Sequence, residues 1–527
     1  MHEKKLLRPR IMALLATSGL QGRGSVAGNH PDRRSFLYSD SRSFYVRDRM
    51  SHSSIFATRR AVTLGLAASV TGLAAPSALS TGAQPAPKTN PQDGELRILT
   101  AAPAKMRLRP EPAPETGVWA FDGALPGPVL RIRHGEEMRV RLVNRTEHPL
   151  SIHWHGVRNA NAMDGVGCLT QAPVAPGGTF DYRFTPPDPG TFLMRPLVIG
   201  ASSEPAERGL SGLLIVEERE PPAVDQEFAL VVDDWRMGED SALAPFGDPI
   251  EAGAGGRLGN LLTVDARPVP HEIKVALGSR IRLRLANACN ARTFRIRFDD
   301  LKPYVAAVDG QPTDTFEPLR STLPFAPGSR YDLILDMASE AGAVGRMTAV
   351  IGAGVPLLSL VTVEGKSDPK RPAGAPVAAL PPNKQLPPMI RLQEAARKEV
   401  ILAGGARIGP GGQPEYAGDA RKIWTINGAA GSAGAPPLLR VKRGSPVVLT
   451  IRNQTPVIQP IHVHGHSFRL LHVADDGWEP YWFDTLQIPE GRSLPLAFLA
   501  DNPGKWAISS TVLERFDTGL WTWFEVT

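Results

Sequence analysis

Two short motifs hold five of the 12 histidines in this 527-residue chain. "SIHWHGVRN" (151–159) carries His153 and His155, and "PIHVHGHSF" (460–468) carries His462, His464 and His466. Side chains two apart on a strand point to the same face, so the imidazoles of each motif can converge on one centre. Neutral imidazole ligates Cu, Zn, Fe and Ni, so the chemistry indicated is metal binding, with the metal left open. Taken alone, H-x-H also describes two polar residues at the end of a strand. Two such motifs in equivalent settings argue against chance clustering.

The elements that must position them form a repeat. "LPGPVLRIRHGEEMRVRLVNRTEHPLSIHWHG", "LLTVDARPVPHEIKVALGSRIRLRLANACNARTFRIRF" and "TINGAAGSAGAPPLLRVKRGSPVVLTIRNQTPVIQPIHVHGH" each hold an alternating strand, a Gly turn (Gly135, Gly278, Gly444) and a second alternating strand. An Asn-marked turn follows in each. Period-2 alternation gives each strand one core face and one polar face. The expected fold is all-β, with three tandem Greek-key sandwiches over 95–218, 220–366 and 395–527. The Pro-rich tract 367–394 reads as an extended connector between the second and third. The 51 Gly and 50 Pro are spread along the chain, so they punctuate strands rather than form one low-complexity tract.

The formal charge of +6 belongs to the N-terminal region: residues 1–83 hold 12 Lys+Arg against 4 Asp+Glu, leaving 47 basic and 49 acidic residues beyond. Nothing electrostatic in the remainder calls for a nucleic-acid partner. Within 1–83, "TRRAVTLGLAASVTGLAAPSALSTGA" places Arg59 and Arg60 before an apolar run and small residues. This is the layout of a twin-arginine export signal, with cleavage near Ala75 or Ala83 and a true start at Met50. The apolar run is shorter than the ~20 residues a membrane span needs, so the expectation is an exported, periplasmic protein that is not an integral membrane protein. Cys168 and Cys289 leave one disulfide or two free thiols open.

With these phrases in hand, residues 95–527 resemble the multicopper oxidases: "LPGPVLR", "IHWHG", "MDGVGCLTQAPVAPGGTFDYRFTPPDPGTF", "GLSGLLIVEE", "IHVHGHSF" and "ADNPGKW" match that family's phrasing. The resemblance implies three cupredoxin domains, a trinuclear copper cluster between the first and third, and a type 1 copper in the third. It implies that His153 and His462 correspond to the type 2 copper pair and His155 and His464 to two type 3 ligands. Asp164 corresponds to an acid near the cluster's solvent channel that could relay protons.

The remaining motif positions depart from the pattern. Where the family places two type 3 histidines after "GTF", this chain has Arg195 and Leu197. The type 1 positions hold Gln459, Ser510 and Arg515, with Leu520 at the axial place, and Ser509 and Thr511 stand at further type 3 positions. A serine hydroxyl is neither a soft ligand nor ionised near neutral pH, and Arg195 brings a fixed cation to where a dicopper pair would sit.

Three readings follow. In the first, this is a copper-free structural or interaction protein on the oxidase scaffold, similar to the ligand-depleted, cell-division-associated SufI type, with an envelope protein as partner. In the second, His153, His155, His462 and His464 hold one weakly bound copper. The third is a copper-dependent oxidoreductase. A purely structural role for the four histidines is hydrogen bonding across the interface of the first and third domains.

Overall fold

The computed structural model describes residues 95–365, 371–372, 374–471 and 481–527. Met50, Arg59 and Arg60 lie outside the described residues, as does part of the Pro-rich tract. The expected alternation is realised. In Met138–Asn144, Met138, Val140 and Leu142 face the core while the arginines between them are half-buried.

The first sandwich sets the sheet Thr116–Phe121, Arg97–Met106, Met138–Asn144, Thr179–Phe184 against a second, Val129–Arg133, Gly212–Glu217, Gly190–Pro196, Ile152–His155. A seven-stranded and a five-stranded sheet form the middle sandwich, and two five-stranded sheets form the last. Together they are three tandem cupredoxin-like Greek-key sandwiches. In each, the opening strand runs parallel to a later strand that ends in asparagine. Arg97–Met106 pairs with Met138–Asn144, Gln226–Trp235 with Arg280–Asn287, and Ala396–Gly404 with Ser445–Asn453. The repeated phrase of the sequence is therefore a repeated crossover.

Those asparagines do the same work three times. Asn144 Nδ2 donates to the carbonyls of His148 and Val174, Asn287 Nδ2 to those of Arg292 and Phe325, and Asn453 Nδ2 to those of Val457 and Ile488. Each Oδ1 accepts from the backbone N–H two residues on. All three are fully buried, so each satisfies polar backbone that the turn would otherwise leave stranded.

The Pro-rich tract is a strap rather than a free connector. Prolines lack an N–H but keep an accepting carbonyl, and Arg280 donates to the carbonyls of Ala375 and Pro376. Asn383 donates to Asp188 and Gln311, Gln385 donates to the Pro187 carbonyl, and Leu380, Leu386 and Ile390 are buried. Both cysteines are free thiols, Cys168 exposed and Cys289 buried. Among the described residues no helix is long and apolar enough to cross a membrane.

Asn453→Ala removes two donors from buried carbonyls and is expected to cost about 2–4 kcal/mol. Asn453→Asp, which sets a buried carboxylate oxygen against the same two carbonyls, should cost at least as much as Asn453→Ala. Denaturant unfolding of the two variants checks both the size and the order.

Candidate metal centre

The centre forms where two strand ends meet. Ile152–His155 pairs with Gly190–Pro196, placing His153 opposite Arg195, and Gln459–Val463 pairs with Gly504–Ser510, placing His462 opposite Ser509. Ile152 and Trp154 turn to the core of the first sandwich, so the intervening His153 and His155 face the third. Across that boundary the His153 ring lies 4.3 Å from His464 and 5.5 Å from His462, and His155 stacks on His462 at 3.9 Å. All four imidazoles are buried. The structure brings together the four histidines singled out in the sequence; His466 points away, packed among Phe498, Trp506 and Phe524.

Hydrogen bonding divides the four into two kinds. His153 Nδ1 lies 2.8 Å from the Asp164 carbonyl and His462 Nδ1 lies 2.8 Å from the Asp484 carbonyl. A carbonyl only accepts, so both rings carry their proton on Nδ1. Their Nε2 atoms are left as buried lone pairs with no partner. His155 is spoken for at both ends: Arg195 approaches Nδ1 at 3.5 Å, and Nε2 lies 2.9 Å from Thr485 Oγ1. Arginine only donates, so Nε2–H gives its proton to Thr485, whose hydroxyl donates to Asp484 Oδ1 at 2.7 Å. His464 is likewise occupied, Nδ1 by Asp164 Oδ2 at 3.0 Å and Nε2 by Ser509 Oγ at 3.0 Å.

One donor atom from each of His153, His155 and His462 lies within 4.8 Å of the others, and the same holds for His153, Asp164 and His464. Fixing the tautomer through the second ring nitrogen is how proteins orient metal-binding histidines. The unpartnered Nε2 atoms of His153 and His462 therefore fit a metal ion, whereas His155 and His464 must break a hydrogen bond to join. Burial depresses all three titrations resolved among these rings: His155 and His462 fall below the ordinary range, and His464 falls to about 3. Neighbouring cations, Arg195 included, add to the shift at His155 but come after burial and His462. His155, His462 and His464 are neutral at physiological pH, the state that ligation requires.

Charged residues that histidine spacing did not reveal frame the centre. Arg330, from the middle sandwich, is completely buried. It forms a bidentate pair with Asp484 and donates to the carbonyls of Gly328 at 2.7 Å and Thr191 at 3.0 Å. Asp309 accepts from the N–H groups of Arg330 and Thr485. Burial opposes the charge on Asp484, but Arg330 and His462 outweigh it and hold the carboxyl well below the usual range. Asp164 is held down in the same way by His464 and His153. Burial and Asp484 push Asp309 up to about 7. Gly156, at φ 93°, completes the fit, since a Cβ there would collide with the Arg330 guanidinium and Asp484. The traces of this frame in the sequence are the glycine of "HWHG" and the isolated charges in "PGSRYD" and "FDT".

The other motif positions are filled by side chains bonded to one another. Arg515 Nη1 donates to Gln459 Oε1 at 2.9 Å and to the Ile458 carbonyl at 2.8 Å, and Gln459 Nε2 donates to Thr455. The Arg515 guanidinium lies over Trp424, 5.3 Å from the ring centroid. Burial lowers the arginine to about 10, which leaves it charged at neutral pH. Ser510 Oγ accepts from the N–H of Val512. Arg195 donates to the Thr511 carbonyl at 3.0 Å, and Leu197 lies in an apolar cluster with Val166, Leu513, Phe516 and Trp521.

Three sandwiches with imidazoles gathered between the first and last define a cupredoxin-type metalloprotein scaffold. Family models described as multicopper oxidase match residues 104–221 and 413–527. The multicopper oxidase MmcO of Mycobacterium tuberculosis is 29% identical over 447 residues, covering 78% of this chain and 82% of that protein. The solved multicopper oxidase of Pseudomonas Thermotolerans is 32% identical with a TM-score of 0.72, covering 82% of this chain and 99% of that one. That of Pseudomonas Parafulva is also 32% identical, with a TM-score of 0.70 and coverage of 82% and 100%. The chain belongs to the multicopper oxidase family.

Replacing Arg330 by Met leaves the Asp484 carboxylate buried without its cation, and the expected loss of stability is about 3–5 kcal/mol. Arg330→Lys keeps the charge but not the planar fork, and should fall between Met and wild type. A shift below about 1 kcal/mol for Arg330→Met in denaturant unfolding would place this residue outside the framework of the centre.

Proposed function

We propose that this is an exported protein of multicopper oxidase fold that does not carry out laccase-type oxidation. On this reading it serves a cell-envelope partner and binds at most one copper, through His153 and His462. The observation that carries the reading is the hydrogen bond from Arg515 to Gln459. Two positions where the family places type 1 imidazoles are bonded to each other, and one of them carries a buried positive charge. A type 1 centre also needs a thiolate to take an electron from substrate and pass it on; Ser510 offers a hydroxyl, and Cys168 and Cys289 belong to other sandwiches. On the cluster side, Arg195 stands opposite His153 with a guanidinium nitrogen 3.5 Å from His155. That cation opposes a second and third copper beside the first.

The domain boundaries that go with this reading are 95–218, 220–366 and 395–527, behind a leader cleaved after the twin arginine. A single copper held by His153 and His462 would supply Lewis acidity or one-electron chemistry. Around it, Asp164 and Asp484 hold the two Nδ1 protons through their backbone carbonyls, and the Asp164 carboxylate holds that of His464. The second reading, a copper-dependent oxidoreductase, is favoured by the two unpartnered Nε2 atoms and by relatives named multicopper oxidases.

Purified protein is expected to show no copper-dependent O2 consumption with phenolic substrates or Cu(I), and Ser510→Cys alone should not restore it, because Gln459 and Arg515 remain. Turnover that rises with bound copper and is abolished by a chelator would establish the second reading instead. Copper-loaded protein should hold no more than one copper per chain, with a type 2 paramagnetic signal and no intense blue band. His153→Ala with His462→Ala should remove the signal. In cells, replacing Arg59 and Arg60 by Lys should trap uncleaved precursor in the cytoplasm, and N-terminal sequencing of exported protein should begin between residues 70 and 90.

A further inference from the structure

Away from the histidines, the middle sandwich brings together two carboxylates and a thiol. Asp233 and Asp234 lie just before the end of the strand Gln226–Trp235, and Cys289 follows the parallel neighbour Arg280–Asn287, whose last residue pairs with Val232. Asn287 Oδ1 accepts the Cys289 N–H, turning the chain back over the aspartates. One donor atom from each of Asp233, Asp234 and Cys289 lies within 4.8 Å of the others.

We propose that Asp233, Asp234 and Cys289 form a second metal site that takes one thiophilic divalent cation of the Zn2+ or Cd2+ type. The hydrogen bonds of Asp234 show which oxygen is available. Its Oδ2 accepts from the Gly259 N–H at 2.6 Å and from Arg292 Nε at 2.7 Å. Its Oδ1 is buried and has no partner, which is costly for a carboxylate unless something cationic or donating meets it. The Cys289 sulfur is completely buried, where it reaches the Val232 carbonyl at the long distance of 3.9 Å and lies against the Asp234 carboxylate. Asp233 uses Oδ1 to accept the Asp234 N–H and is only partly buried, so the site has an open edge for entry.

The charge balance fits a divalent ion. Arg292 already neutralises Asp234. Burial raises the Cys289 thiol well above its ordinary value, and burial with Asp234 raises Asp233. The two charges of a divalent cation offset one thiolate and the Asp233 carboxylate. One thiolate with two carboxylates is a donor set suited to zinc. Calcium and magnesium, which take six or more oxygen ligands, are poorly served by it. Arg292 and Gly259 then act as outer partners that orient the Asp234 carboxylate.

Cadmium is the probe, because its bond to thiolate absorbs in the ultraviolet while its bond to imidazole does not. Full-length protein carrying Cys168→Ser, which removes the exposed thiol, is titrated with Cd2+ in weak buffer. The expected result is a thiolate-to-metal band that saturates at one cadmium per chain, with the thiol proton released as the cation binds. Asp233→Asn, at the partly exposed edge where folding is least at risk, should weaken binding by about tenfold or more. The same band should appear in protein also carrying His153→Ala and His462→Ala, since the proposal does not depend on the histidine centre. A folded protein that gives no band, or a band whose affinity is the same in Asp233→Asn, overturns the site. In the latter case the thiol binds alone.

Discussion

The buried Arg330–Asp484 pair is the interaction on which the centre depends. An ion pair this deep survives only if the desolvation of both ions is offset by near-complete hydrogen bonding. Here the guanidinium spends its donors on the Asp484 carboxylate and on two carbonyls, one from its own sandwich and one from the first. It therefore ties together residues from all three sandwiches. Asp484 in turn supplies the carbonyl that fixes the His462 tautomer and the carboxylate that receives the Thr485 hydroxyl from beneath His155. Removing the cation would disturb the packing of the sandwiches and the proton positions of the imidazoles together.

From that frame comes the division of four neighbouring histidines into two pairs. His153 and His462 are oriented by backbone carbonyls, which fix the ring without competing for Nε2. His155 and His464 are held at both nitrogens by side chains, one of the two in each case reaching across from the facing sandwich, so they act as cross-links at the interface. His153 and His462 keep free lone pairs, and His155 and His464 have spent theirs.

The same economy governs the positions where the family's other ligands stand. Here Arg515 and Gln459 bond to each other, Ser510 accepts a backbone N–H, and Leu197 joins an apolar cluster. Some polar atoms remain stranded, among them Arg195 Nε, Thr511 Oγ1 and Arg515 Nε.

What the sequence by itself determined is what short-range pattern encodes. Strand alternation, the Gly and Asn turns and the tripled phrase specify the sandwiches, because a side-chain period of two and a buried turn asparagine are local properties of the chain. The spacing of His153, His155, His462 and His464 marked the centre for the same reason, since residues two apart on a strand share a face whatever surrounds them. Which nitrogens are free was decided only by tertiary structure. It depends on Asp164, Thr485, Asp484 and Ser509, which reach the imidazoles from other strands and in part from another sandwich. Arg330 lies more than 100 residues from either motif, and the middle sandwich carries no histidine signature to announce it. The Pro-rich tract shows the same limit: its composition predicts extension, but whether its carbonyls meet water or Arg280 is settled by the surface it crosses.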